Sequence, residues 1–297
     1  MQRRDFLKRL AYFSAAISYG SWLTYQKKPA IVRAETPVFD IAKVSGSDIV
    51  PMVQRGIDAI GGISNFVKSG QTVAIKPNFS WGRSPEEAYT TNPYVVGALV
   101  GMCKQAGAKE VNVIDHTCTT ASICLHKTGI QREVEAAGGK AFNITNFRTV
   151  SISGGYKLKT VDFSTDSLDA DVLISVPIAK QWAVTNISVG MKNWMGLIKD
   201  RKVFHEGRGA NIHEMIVDLM RVRKPDLTII DAIRVLTNKS EETNTLLIGT
   251  DPVALDAMAC KEYLRIDPFD IPHITLAHSA RIGSMNYQTK SIANISC

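Results

Sequence analysis

Absences narrow the field first. The 297-residue chain has only five cysteines, and none stand in a Cys-x2-Cys-x2-Cys run, so a ferredoxin-type iron–sulfur centre is excluded. Its glycines form neither a dinucleotide fingerprint nor a phosphate loop. No Gly-x-Ser-x-Gly elbow occurs, which removes the hydrolases recognisable by that motif. There is no internal repeat and no low-complexity linker. Beyond the N-terminal region, no stretch approaches the ~20 apolar residues that a membrane span needs. A general basic surface is missing too, although the net charge is +7. Residues 1–34 hold seven Lys/Arg against one acid, which leaves 28 basic and 27 acidic residues in the remainder. That balance argues against nucleic acid as a partner.

The N-terminal charge has its own pattern. Gln2 to Lys8 reads QRRDFLK, two adjacent arginines followed by Asp-Phe-Leu-Lys, which is the twin-arginine export pattern. A weakly apolar stretch, Leu10 to Tyr25, follows, then Lys27-Lys28 and Val32-Arg33-Ala34. Small residues suit signal peptidase, so cleavage is expected after Ala34. The expected division is a signal peptide at 1–34 and a single α/β domain at 35–297. The expected location is the periplasm, with the Tat translocase as partner during export and no transmembrane span in the mature chain.

The mature part alternates short apolar runs with helical patterns. Strands are expected at 38–44, 72–76, 110–115, 171–176, 227–231 and 246–249. Helices are expected at 47–67, 92–105, 122–137, 211–223, 251–263 and 272–280. Asn92-Pro93 and Asp251-Pro252 each combine an N-cap with proline at the first helical position. Residues 140–163 read as short strands with a turn at Gly154-Gly155, an antiparallel addition. Strand–helix alternation with β-branched strands predicts an α/β fold, a mostly parallel sheet with helices on both faces.

In such sheets ligands bind outside the carboxyl ends of the strands. Lys76 and Asn78, Asp115 and His116, Lys180, and Asp231 follow apolar runs and are expected at one rim. Residues 179–207 lack clean periodicity yet carry Trp182, Trp194 and Met195, so they are expected to form a lid or wall over that rim. Lys76, Lys180 and Lys192 would fix a small anionic ligand, and Asn78 and Asn193 would orient it. Asp115 would accept a proton and His205 would supply one. His116, Cys118, Cys124 and His126 fall within eleven residues and offer three readings: free thiols, a Cys118–Cys124 disulfide, or a transition-metal site.

The segments VAIKPNFS (73–80), YTTNPYVVGALV (89–100), AGAKEVNVIDH (106–116), DADVLISVPIAK (169–180), ISVGMKNWMGLI (187–198), KPDLTIIDAI (224–233) and IGTDPVALDAMA (248–259) together resemble the family called domain of unknown function 362. The resemblance runs from about Val38 to about Gly283. It implies motif positions at Lys76, Asn78, Thr91, Asp115, Lys180, Lys192, Asn193 and Asp251. Members with a ferredoxin-like extension carry iron–sulfur cysteines; this chain lacks that extension, so electron transfer is not implied. Family members often place a histidine two residues after the second lysine, where this chain has Trp182.

Overall fold

The computed structural model describes residues 38–297. The twin-arginine pattern and the cleavage expected after Ala34 lie outside them. Short β-branched runs supply the sheet. TVAIKP forms β2 (Thr72–Pro77) and EVNVID forms β3 (Glu110–Asp115). KAFN forms β4 (Lys140–Asn143), VLISV forms β7 (Val172–Val176), and β10 spans Leu227–Leu236. These strands pair in parallel in the order β10-β7-β2-β3-β4. The other edge is mixed. β11 (Ser240–Gly249) is antiparallel to β10 and to β1 (Ile41–Ser45), and β1 is parallel to the last strand, β12 (Ile292–Ser296).

Alternation along each strand divides the core in two. Val73, Ile75, Val172, Ile174, Ile229 and Ile248 meet helices 49–59, 93–105 and 130–136 on one face. Ala74, Leu173, Ile230 and Leu247 meet helices 212–222, 252–262 and 272–279 on the other. The fold is therefore a mostly parallel mixed sheet with helices on both faces, as the strand–helix alternation predicts. Both proline-led helix starts form as expected. Asn92 Oδ1 accepts from Tyr94 N, and Asp251 Oδ1 accepts from Val253 N and Ala254 N.

Chain topology marks one place on the rim. From β2 the chain steps outward to β3 and β4, then returns to β7 on the other side of β2 and continues to β10. The carboxyl ends of β2 and β7 therefore flank the point where winding reverses, and the crevice between them is where such folds take ligands.

Several elements depart from the sequence expectation. The helix expected at 47–67 breaks at Gly61-Gly62, both with positive φ, and the one expected at 122–137 breaks at Gly129 (φ 72). Pro177 ends β7 at Val176, but not the run of extended chain. The chain bends there and continues as β8 (Ile178–Trp182), which pairs with β10 and with β9 (Asn186–Ser188). The carbonyl of Pro177 accepts from Asp231 N at 2.8 Å, so a missing N–H bends the ladder without terminating it. The 227–231 and 246–249 runs are the inner ends of a long antiparallel hairpin, β10–β11; on β11 the outer half, Ser240 to Asn244, is polar and carries no apolar signal.

The antiparallel addition, β5 (Phe147–Ser151) with β6 (Thr160–Ser164), forms its own two-stranded sheet. Its connecting turn is held by one buried carboxylate. Asp218, on helix 212–222, accepts from the backbone N–H groups of Tyr156, Lys157 and Leu158 at 2.6, 2.7 and 2.8 Å. Removing that acceptor leaves three donors without it, one of them, Leu158 N, buried. Asp218→Ala should lower unfolding free energy by roughly 3 kcal/mol in urea denaturation, with Asp218→Asn in between.

Candidate functional site

A cavity of about 570 Å³ opens beside the reversal point. Lys76 and Asn78 reach it from the end of β2, and Lys180 and Trp182 from β8. Lys192, Asn193 and Gly196 come from the 3-10 stretch Met191–Leu197. Arg201 and His205 come from the next 3-10 stretch, Arg201–Gly209. The three lysines expected at one site do line one cavity. The 179–207 segment does wall it, but through a β8–β9 hairpin and two 3-10 stretches. Trp194 is wholly buried beneath, its Nε1 donating to Arg223 O at 2.7 Å.

A buried network forms the floor. Lys76 Nζ, with no exposed surface, faces three acceptors: Pro77 O at 2.6 Å, Asn193 Oδ1 at 2.9 Å and Asp115 Oδ1 at 2.9 Å. The contact to Asp115 is an ion pair off the hydrogen-bonding direction, which leaves Oδ1 without a directed donor. Asp115 Oδ2 accepts from Phe79 N at 2.9 Å and Ser80 Oγ at 2.7 Å. Asn193 Nδ2 donates to Lys76 O and Ser175 Oγ, and its Oδ1 also accepts from Asn78 Nδ2 at 2.8 Å. Asn78 Oδ1 accepts from Ile178 N. A Cβ on Gly196 would stand 2.5 Å from Asp115 Oδ1 and 2.9 Å from Lys76 Nζ, so the chain seals this pair with bare backbone. Burial pulls the Lys76 amine below the ordinary lysine range, and Asp115 opposes that pull.

The other two amines are placed differently. Lys180 is 5% exposed; its Nζ donates to Tyr89 O at 2.9 Å and lies 5.2 Å from the Trp182 ring centroid. Lys192 lies 5.5 Å from the same ring. Among the described residues, only Lys76 of the three has a carboxylate within salt-bridge distance. Burial, then the charge of Lys192, brings the Lys180 amine down to about 7; burial brings Lys192 to about 8. Arg201 adds charge at the wall but is tied down, donating to His116 O at 2.6 Å, Thr117 O at 2.7 Å and Cys118 Sγ at 3.1 Å.

Four expectations need correction. Asp115 does not face the cavity as a free base; its side chain is fully enclosed beneath Gly196. Thr91 does not line it either. The Thr91 hydroxyl accepts from Asn78 N and donates to Val176 O, strapping the 78–91 loop to β7. Asp231 lies inside β10 rather than at its end. It lines a second cavity, its carboxyl accepting from Asn92 N and Ile233 N and raised by burial to about 6. The four-residue metal set does not assemble, because helix 121–127 turns Cys124 into the core and leaves His126 outside, on the second cavity. His116 donates from Nδ1 to Ile198 O, and Cys118 and Cys124 are free thiols. Among the described residues, no group of three or more His, Cys, Asp or Glu is arranged to hold a metal ion.

Sequence reasoning missed Arg201 and Tyr89, neither of which has a periodic or spacing signal. It also missed Asp256, whose carboxyl accepts from Gly190 N and Met191 N at 2.7 and 2.9 Å and so fixes the start of the Lys192–Asn193 stretch. A lone carboxylate within the small, apolar run PVALDAMA was the available signal.

The depressed lysines have a consequence for stability. Their folded pKa values, about 7 and about 8, lie below the ordinary value of 10.5. At these two sites the unfolded chain therefore holds more protons across that window, so they make ligand-free protein more stable as pH rises from 7 to 9. Above that, the buried Cys103 and Cys260 thiols, raised to about 12, act the other way. Urea midpoints between pH 7 and 9 should show this rise, and Lys180→Met should remove about half of it.

Comparison with known proteins agrees with this geometry at the level of fold. A solved structure of the lactate racemase apoprotein from Thermoanaerobacterium thermosaccharolyticum aligns with a TM-score of 0.50 at 11% identity, over 74% of this chain and 56% of that one. A Thermotoga maritima protein aligns at 0.46 with 14% identity, over 73% of this chain and 58% of that one. This chain thus spans little more than half the length of either. In sequence, a thylakoid-associated protein of Synechocystis sp. is 30% identical over 243 residues, covering 76% of this chain and 73% of that protein. Residues 73–261, which contain Lys76, Lys180, Lys192 and Asn193, match the family model described as Domain of unknown function (DUF362), and the chain belongs to that family.

Proposed function

We propose that the chain binds a small anionic molecule in the cavity between β2 and β8. Lys180 and Lys192 supply the charge, and Lys180 exchanges a proton with the bound molecule. One observation carries this reading: two lysines line a walled cavity, one of them buried, and neither has a carboxylate of its own among the described residues. A desolvated ammonium without a counter-ion is unfavourable, and an anionic ligand would remove that deficit. Lys76, Asp115, Asn78 and Asn193 form the frame that keeps the amines in register. Asn193 uses both amide N–H groups and its oxygen inside that frame, so it positions the amines rather than the ligand. His205, exposed at the mouth, is placed to relay protons to solvent.

Anion binding should raise both lysine pKa values, so binding near pH 8 should take up roughly one proton. Calorimetry with inorganic phosphate in buffers of different ionisation enthalpy measures that uptake. Lys192→Met should weaken phosphate binding about tenfold, which is about 1.4 kcal/mol. Unchanged phosphate affinity in a Lys180→Met, Lys192→Met double variant would place the anion elsewhere and end this reading.

We further propose that residues 1–34 direct the folded chain through the twin-arginine route into the periplasm. The support is the QRRDFLK pattern and the concentration of positive charge in that segment. Replacing Arg3 and Arg4 by lysine should leave an unprocessed chain inside the cell, whereas the unaltered chain should start at Glu35. Equal processing of both would reject the export proposal.

A further inference from the structure

We propose that Lys180 forms an imine with a carbonyl compound that also carries an anionic group, a 2-oxo carboxylate being the simplest member of that class. This rests on the anion-cavity reading above and adds covalent chemistry to it.

The three cavity amines differ in what their nitrogen can do. Lys76 Nζ lies at the cavity floor and meets three acceptors, so it has no free lone pair to offer a ligand. Lys180 sits on a strand paired on both sides, by β10 and β9, so its backbone is fixed. Its nitrogen has one acceptor, the carbonyl of Tyr89, and aromatic rings of Trp182 and Tyr89 at 5.2 and 6.0 Å. A neutral amine can donate one N–H to that carbonyl and keep its lone pair for a ligand in the cavity. The charged groups that act on it are Lys192, Asp115, Lys76 and Cys118, and burial outweighs them all. The result, about 7, leaves a large share of free amine at neutral pH, the condition an amine nucleophile needs. Lys192, at about 8 and beside the same Trp182 ring, stays mostly protonated and is placed to hold the anionic group.

The step balances without an outside oxidant or reductant. The Lys180 nitrogen lone pair attacks the carbonyl carbon, and the carbonyl π electrons move to oxygen. A proton passes from nitrogen to that oxygen, giving a carbinolamine. The hydroxyl then leaves with a second proton as water, and a C=N bond replaces the C–OH bond.

The probes are pyruvate and the unreactive dianion oxalate. Full-length protein is incubated with pyruvate and sodium cyanoborohydride at about pH 7.5, digested, and read by peptide mass spectrometry. The reduced pyruvate adduct should form at Lys180 at least roughly tenfold faster than at the exposed Lys68 and Lys127, which lie outside this cavity. Oxalate should protect Lys180. Lys180→Arg, which keeps the charge, should abolish the adduct while calorimetry still detects oxalate binding. Oxalate binding with adducts spread evenly over lysines, or concentrated on Lys192, overturns the imine and leaves the anion cavity standing. An adduct at Lys180 without oxalate binding or protection keeps the imine and removes the anion cavity. Neither adduct nor binding rejects both.

Discussion

The site depends on one buried charge pair, Lys76 with Asp115. Taking both ions out of water is unfavourable, and a bare pair in the interior seldom recovers that loss. Here the surroundings complete it: two further acceptors for the amine, and a backbone N–H and a hydroxyl for the carboxylate. Because the partners come from the ends of β2 and β3 and from the 191–197 stretch, the pair also decides where those pieces meet. Asn193 extends the constraint to β7 through Ser175, and Asn78 extends it to β8 through Ile178 N.

Around this satisfied centre the electrostatics change with distance. Lys76 has a permanent counter-ion, while Lys180 has only a carbonyl and two ring faces, and Lys192 a single ring face. The same side-chain type therefore serves as a structural cation in one place and as a titrating group a few residues away in space. Asp256 and Arg201 act on the walls in a similar way. The first holds the start of the 191–197 stretch, and the second ties the 201–209 stretch to the loop after β3.

The sequence made the central parallel strands and both proline-led helices legible, because burial on two faces and an N-cap each leave a local signature. It also made legible the gathering of Lys76, Lys180, Lys192 and Asn193, because all four follow or face strand ends. What it hid was long-range. β7 stops before Pro177, and nothing local shows that the chain takes up pairing with β10 again as β8 just beyond it. The outer half of β11 is polar and gave no periodic signal. Asp115 and Thr91 looked available in sequence, and only their partners from distant segments show them to be engaged. For His116, Cys118, Cys124 and His126, closeness in sequence left free thiols, a disulfide and a metal site all open, and the thiols are free. A short helix turns Cys124 and His126 in different directions.

The position of β1 has a consequence for the order in which the molecule assembles. It lies between β11 and β12, with Ser45 meeting Thr245 and Asp40 meeting Ser291, at sequence separations of 200 and 251. During synthesis this strand leaves the ribosome long before either neighbour exists. The mixed edge of the sheet can close fully only after the chain has been made through β12, so it forms late relative to the local helices. Until then the apolar residues of β1 lack their sheet partners.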